Sequence, residues 1–398
     1  MTRRPTLTSV ATLLVALPVL AGDAAGQGGQ PRVAADSAVL ISRLGRDTLA
    51  IEQVIRAGNR IDARVLLRTP STSLLHYDMR LAPDGRMQSL RTVAVDPMGN
   101  APPRQVGLLT RVGDSLRVES GSGDSVRVRM VAASADALPF IDMVHWPFEL
   151  TLARLSAGTP RVTQPLLTGQ RTSDFTFARL GADSATITHP TRGTMRARVD
   201  ARGRLHGLDA GATTRKLIVE RRPWMALGPV AAVWAAQDRA GRSFGALSER
   251  GAAKATVHGA TIAVDYGTPM KRGREIWGAL VPYGQVWRTG ANAATGITTD
   301  RALRLGTGAD TLHVPAGSYT LFSIPAADGG LLIVNEQTGQ TGTAYDATRD
   351  LGRVRMTRRA LPESVETFTI EVAPAGDAGE LRLLWDRTAM VVPFRVLP

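Results

Sequence analysis

Between residues 39 and 222, apolar and polar positions alternate in short runs. The clearest are 48–55, 60–67, 74–81, 87–95, 115–119 and 125–131. Alternation with a period of two puts successive side chains on opposite faces of a strand. Turn signals such as Pro83-Asp84-Gly85, Gly113-Asp114 and Gly123-Asp124 separate the runs, so they read as antiparallel hairpins in a meander. The rhythm breaks at 137–155. There Leu138, Ile141, Val144, Phe148 and Leu152 recur at helical spacing, which predicts one helix, bent at Pro147. Alternation resumes at 175–180, 184–188, 194–199, 205–208 and 215–220. About a dozen strands with one helix predict a curved antiparallel sheet, half-barrel-like, wrapped around that helix or a cavity.

Residues 223–250 change character. Trp224, Leu227, Val230, Val233 and Trp234 are followed by a polar, Gly-containing stretch, which reads as a short helix and a linker. From Lys254 the pattern is β again, with strands at 295–300, 311–314, 318–324, 331–335, 353–358, 366–372, 380–385 and 390–396. Eight or nine short strands predict an antiparallel β-sandwich over 251–398.

The chain opens with Arg3 and Arg4, an apolar stretch from 7 to 20 and a small residue at Ala21. This is the layout of a secretory signal peptide, expected at 1–21 and removed in an exported mature protein, periplasmic or secreted. Residues 22–38 are expected to be disordered, and 39–222 to form the first folded domain. No later stretch approaches the length of a membrane span. The chain has no cysteine, which removes disulfides, thiol nucleophiles and Cys-based metal sites. Its net charge of +13 comes almost wholly from arginine. The charge is spread along the chain, and export removes most nucleic acid, so a nucleic-acid partner is not expected. Weak attraction to an anionic envelope surface is compatible with it.

Six histidines show no pairing at metal-ligand spacing, and there is no nucleophile elbow, phosphate loop or dinucleotide fingerprint. Neither a metal nor a cofactor is expected. Against that background 264–300 is distinctive, because it concentrates Trp277, Trp287, Tyr266 and Tyr283 with Lys271, Arg272, Arg274 and Arg288. Together with Val281-Pro282-Tyr283-Gly284, Val286-Trp287-Arg288-Thr289-Gly290-Ala291-Asn292, Pro315-Ala316-Gly317-Ser318-Tyr319, Val334-Asn335 and Tyr345-Asp346, it resembles the domain of unknown function 2911 family over about 250–398. The resemblance implies an exported bacterial β-domain without an assigned activity. Members often carry Trp before a Gly-Thr pair where this chain has Thr341. The N-terminal half resembles no family.

The aromatic faces of Trp277, Trp287 and Tyr266, with Arg274, Arg288, Asn292 and Asn335 as fixed donors, have the make-up of a small-molecule pocket. The planar donor fork of Arg288 suits a carboxylate or phosphate. The leading expectation is therefore a non-enzymatic, binding or envelope-associated module for a small polar or anionic ligand. One alternative is a hydrolase or isomerase with Asp265 or Glu275 as a base near Arg288. Another is a purely structural protein-interaction module, with Trp287 and Tyr266 in the core and Arg288 tying down the 290–292 turn. The basic loop 270–274 reads equally as a solvated sheet edge.

Overall fold

In the computed structural model, residues 36–156 and 158–398 are described. The expected signal peptide lies outside the described residues, as does 22–35 of the stretch expected to be disordered. Residues 36–38 are already strand, because the Asp36 carboxylate is held by Arg204 at 2.6 Å and faces Arg221 at 3.7 Å.

The first sheet contains β1 (Asp36–Leu44), β2 (Asp47–Ala57), β3 (Arg60–Leu67), β4 (Ser73–Leu81), β5 (Met87–Val95), β6 (Arg104–Val112), β7 (Ser115–Ser120), β8 (Arg127–Ala132), β9 (Leu138–Pro139), β10 (Arg161–Thr168), β11 (Arg171–Arg179), β12 (Ser184–His189), β13 (Gly193–Val199), β14 (Leu205–Asp209) and β15 (Ile218–Arg222). Their spatial order is β8-β7-β6-β5-β4-β3-β2-β1-β15-β14-β13-β12-β11-β10-β9. Every pairing is antiparallel except β9 with β10. The sheet curls until its ends approach: Arg129 of β8 donates to the Gly169 carbonyl, in the turn between β10 and β11, at 2.7 Å. Inward-facing Leu40, Leu49, Met79, Leu116, Phe175 and Phe177 pack around Trp146 and Phe148.

The helix predicted across 137–155 shrinks to α1 (Phe148–Leu152). Leu138 and Pro139 pair with β10 instead. The buried Glu52 carboxylate accepts from the backbone N–H groups of His145, at 2.9 Å, and Trp146, at 3.0 Å. Pro147 then precedes α1, so a helical ladder cannot run back through this segment. The helical spacing of apolar residues arose because the whole segment fills the interior of the curl.

The short helix expected in 223–250 is α2 (Leu227–Arg239), and the next strand starts before the span read as helix and linker ends. Leu227, Ala231 and Trp234 pack on Val39, Ile51 and Leu66. These lie on the face of β1–β3 opposite the interior, since their chain neighbours Leu40 and Val65 belong to the inner core.

The second sheet contains β16 (Ser248–Val257), β17 (Ala260–Pro269), β18 (Thr295–Thr299), β19 (Leu303–Thr307), β20 (Asp310–Val314), β21 (Gly317–Ala326), β22 (Gly329–Asn335), β23 (Asp350–Ala375) and β24 (Ala378–Val396). The ladder is antiparallel and continuous, in the order β16-β17-β18-β21-β22-β23-β24-β19-β20. The sandwich-like core comes from folding this one ladder over. The four short strands predicted over 353–396 are in fact β23 and β24, each long and bent where their register shifts between Ala360 and Thr369. Met270 bridges Thr367, and Lys271 N–H donates to the Glu366 carbonyl at 2.7 Å, which lays the end of β17 over the middle of β23. Between the layers lie Phe368, Trp385, Leu321, Leu332 and Phe394. Among the described residues, no helix is long and apolar enough to cross a membrane.

The loop 270–274 is a joint rather than a solvated edge. Arg272 is 4% exposed. Its carbonyl accepts from Arg46 N–H at 3.1 Å, its Nη1 donates to Asp47 at 2.8 Å, and its guanidinium lies 4.2 Å from the Phe244 ring centroid. Gly45 sits at φ 59 against that carbonyl, where a Cβ would collide with it.

Candidate functional site

A cleft of about 480 Å³ opens where the turn between β14 and β15 faces the connection between β17 and β18. Its position follows from the Arg272 joint, which brings the two sheets together at their loop ends.

The segment carrying Arg288 is pinned on both sides. Trp287 and Ser323 of β21 exchange backbone hydrogen bonds at 2.7 and 2.9 Å. The Thr289 hydroxyl donates to Ser323 Oγ at 2.9 Å, and Thr295 Oγ1 donates to the Thr289 carbonyl at 2.6 Å. Thr289 and Asn292 both take left-handed backbone conformations, at φ 49 and φ 63. Gly342 N–H closes the turn on the Asn292 carbonyl at 2.9 Å. A Cβ on Gly342 would lie 2.6 Å from Arg288 Cδ, so the missing side chain leaves room for Arg288.

The structure divides the sequence-predicted residues into three groups. Arg274, Trp287, Arg288 and Asn292 line the cleft. Trp277 stands behind it: its ring meets Trp287 edge-on at 5.8 Å, and its Nε1 donates to the Trp385 carbonyl at 3.2 Å. Tyr266 is in the core, edge-on to Phe368. Asn335 is fully buried, donates to the Asp346 carbonyl at 2.8 Å and to Asp350 at 2.9 Å, and accepts from Gln337 N–H at 3.0 Å. It clamps the β22–β23 connection and does not line the cleft. Thr341, where the resembling family often has Trp, is exposed beside the rim residues Gly342 and Thr343.

The carboxylates considered as bases are elsewhere. Asp265 has a 67% exposed side chain and pairs with Arg250 on the surface. Glu275 is exposed and does not line the cleft. Among the described residues, no Asp or Glu contributes to the lining, whereas Arg192, Arg215, Lys216, Arg274 and Arg288 all do. Arg192 and Arg215 share the single Asp142 carboxylate, which offsets one of their two charges. Arg274 spends two donors on the Lys271 and Met270 carbonyls, at 3.0 and 2.6 Å. Arg288 makes a single long bond, Nε to the Gly290 carbonyl at 3.4 Å. Burial holds the Arg274 and Arg288 guanidinium groups below their ordinary pKa, with Arg272 adding to the effect on Arg274. A guanidinium stays protonated in proteins, so the depression measures how poorly these charges are solvated. An incoming anion would relieve that cost.

Leu280, Val281, Pro282, Val286 and Trp385 supply the apolar walls. Trp287 lies nearly parallel to Trp385 at 6.0 Å. The sequence reading missed the wall built by the N-terminal sheet, namely Arg192, Thr213, Arg215 and Lys216. No motif marks them; the one available signal was the rarity of lysine in so arginine-rich a chain. Among the described residues, no group of three His, Asp or Glu side chains could hold a metal ion.

Residues 248–394 match the family model described as protein of unknown function (DUF2911), a span that begins with β16. The N-terminal part of the chain has no family match. No curated protein matches the chain. Among solved structures, a DUF1089 family protein from Pseudomonas aeruginosa is similar at 12% identity, covering 40% of this chain and 89% of that one, with a TM-score of 0.29.

Proposed function

We propose that this protein is an exported, non-enzymatic binding module whose inter-sheet cleft takes a small anionic ligand. One observation carries the reading: Arg288 lies half-buried in a carboxylate-free cleft, with one weak hydrogen bond among the described residues for its five donors. Structural arginines are normally paired, because an isolated buried charge is costly. Here the fork is held in place by Trp287, Thr289 and Gly342 and presented to the cleft. Asn292 and Thr343 add polar groups at the rim, and Trp287 and Trp385 add flat apolar faces. Export rests on Arg3, Arg4 and the apolar stretch ahead of Ala21.

The test is a thermal-shift and calorimetric titration of the mature protein with sulfate, phosphate, pyruvate and citrate, with Arg288→Ala alongside. A ligand at 100 times its Kd stabilises the folded state by about 2.7 kcal/mol. Wild type should show such a shift and Arg288→Ala should lose it. Without ligand, Arg288→Ala should be about as stable as wild type, since it removes a half-buried charge with no ion-pair partner among the described residues. A wild type that no anion stabilises, together with a destabilised Arg288→Ala, would make Arg288 a structural clamp and end the proposal.

A further inference from the structure

Three of the chain's 48 basic residues are lysines: Lys216, Lys254 and Lys271. Lys254 is exposed on β16, and Lys271 is paired with Asp386. Lys216 lines the cleft with four arginines. Those guanidinium groups remain charged in water and in proteins, so Lys216 is the one basic group of the wall that can shed its proton.

Its placement is fixed by the backbone. The turn between β14 and β15 is closed by Ala210 N–H on the Leu217 carbonyl at 2.8 Å and by Thr213 N–H on the Ala210 carbonyl at 2.9 Å. The Thr213 hydroxyl donates to the same Ala210 carbonyl at 2.7 Å and accepts from Arg215 N–H at 3.1 Å. Lys216 sits at the end of this turn at φ 57, a left-handed conformation that an ordinary side chain rarely adopts. Leu217 is buried in the core next to it. The side chain is half-buried and, among the described residues, has neither a carboxylate partner nor a hydrogen-bond acceptor. Burial disfavours its charged form, and Arg274 and Arg288 repel it further, so its pKa lies below the usual lysine range. An amine desolvated among cations is the arrangement that makes lysine a nucleophile near neutral pH.

We propose that Lys216 captures a carbonyl: it forms a reversible imine with a small 2-oxo acid whose carboxylate is held by Arg288 and Arg274. The inference rests on the anion-binding reading of the same cleft and names the class of ligand. The neutral amine donates its lone pair to the carbonyl carbon, forming the C–N bond while the C–O π pair moves to oxygen. One proton passes from nitrogen to that oxygen. Loss of water then breaks the C–O bond and leaves C=N. Water is the only by-product, and its return reverses the step, so no oxidant or reductant takes part. The two arginines hold the acid group at one end, and burial favours the neutral amine at the other.

The experiment is reductive trapping. The mature protein is incubated with pyruvate and borohydride, and the adduct is mapped by peptide mass spectrometry. The expected result is one adduct per chain, on Lys216, suppressed by excess sulfate. Lys254 and Lys271 serve as internal controls. Lys216→Arg keeps the positive charge and should lose the adduct, whereas Lys254→Arg, outside the cleft, should keep both the adduct and pyruvate's thermal shift. Equal labelling of the three lysines, or a wild type that binds pyruvate but traps none, overturns imine formation and leaves the anion reading intact. A wild type that neither traps pyruvate nor is stabilised by any anion overturns both.

Discussion

The ring of His189 offers a quantitative check on the interior of the curled sheet. It packs against Phe175 at 4.6 Å and Phe140 at 5.4 Å, at the end of β12. Its Nδ1 accepts the Thr191 N–H at 3.1 Å, which fixes the neutral tautomer with the proton on Nε2. Burial, and then the nearby Arg192, lower its pKa from 6.5 to about 4. The sign follows from linkage: below 6.5 the unfolded chain takes up a proton that the folded chain refuses. The associated stability is therefore fully present above pH 6.5 and is lost as pH falls toward 4. A shift of that size corresponds to a ceiling of about 3 kcal/mol between neutral pH and pH 4. Solvent at the open edge of the ring screens it, leaving about 2 kcal/mol. His189→Phe keeps an aromatic ring of similar size among its aromatic neighbours and cannot titrate. Its lost hydrogen bond costs about 1 kcal/mol at every pH. Urea unfolding of both proteins near pH 7 and near pH 4 isolates the effect. Wild type should lose about 2 kcal/mol more than the variant over that interval. Equal losses would refute the claim that the folded interior keeps His189 neutral.

Two substitutions probe the scaffold around the cleft. Arg272→Ala removes the buried ion pair to Asp47 and the stacking on Phe244, and should cost about 3 kcal/mol in urea unfolding. A cost below about 1 kcal/mol would mean that the joint does not hold the sheets together. Asn335→Leu strands the Gln337 N–H and the Asp346 carbonyl, and should cost about 2–3 kcal/mol. Anion affinity measured by calorimetry should stay unchanged, because Asn335 lies outside the cleft.

Much of the β architecture was legible because alternation and turn chemistry agree. The 60–67 and 87–95 runs coincide with β3 and β5, and Pro83-Asp84-Gly85 turns the chain between β4 and β5. β6 escaped notice because it is half-exposed along its whole length and carries Gly107, which leaves little contrast between its faces. β23 and β24 were each read as two strands because Leu361-Pro362-Glu363 in β23 and Asp386-Arg387-Thr388 in β24 interrupt the pattern, whereas the backbone bends there without leaving the sheet. The helix predicted over 137–155 is real only at Phe148–Leu152, which shows that spacing reports burial, not hydrogen bonding. Glu52, about 93 residues away in sequence, decides where the His145 and Trp146 N–H groups point. Half of the cleft was legible for a related reason. Arg288, Trp287 and Asn292 share one dense segment, whereas Lys216 joins them only through tertiary packing, for which no local pattern exists.

The place of β1 has a consequence for how the chain acquires its structure. β2 to β8 and β9 to β15 are two arms whose strands pair mainly with sequence neighbours. β1 alone joins them, setting Ile41 against Glu220, about 180 residues apart in sequence. Each arm can gather itself from local hairpins during synthesis, but the seam waits until β15 has emerged. Loop-closure entropy grows only slowly with length, so this wait slows folding far more than it weakens the folded sheet. Until the seam closes, β1 presents an unpaired edge. The arginines at 204 and 221, which hold Asp36 beside that seam, act as a latch on the last event of assembly.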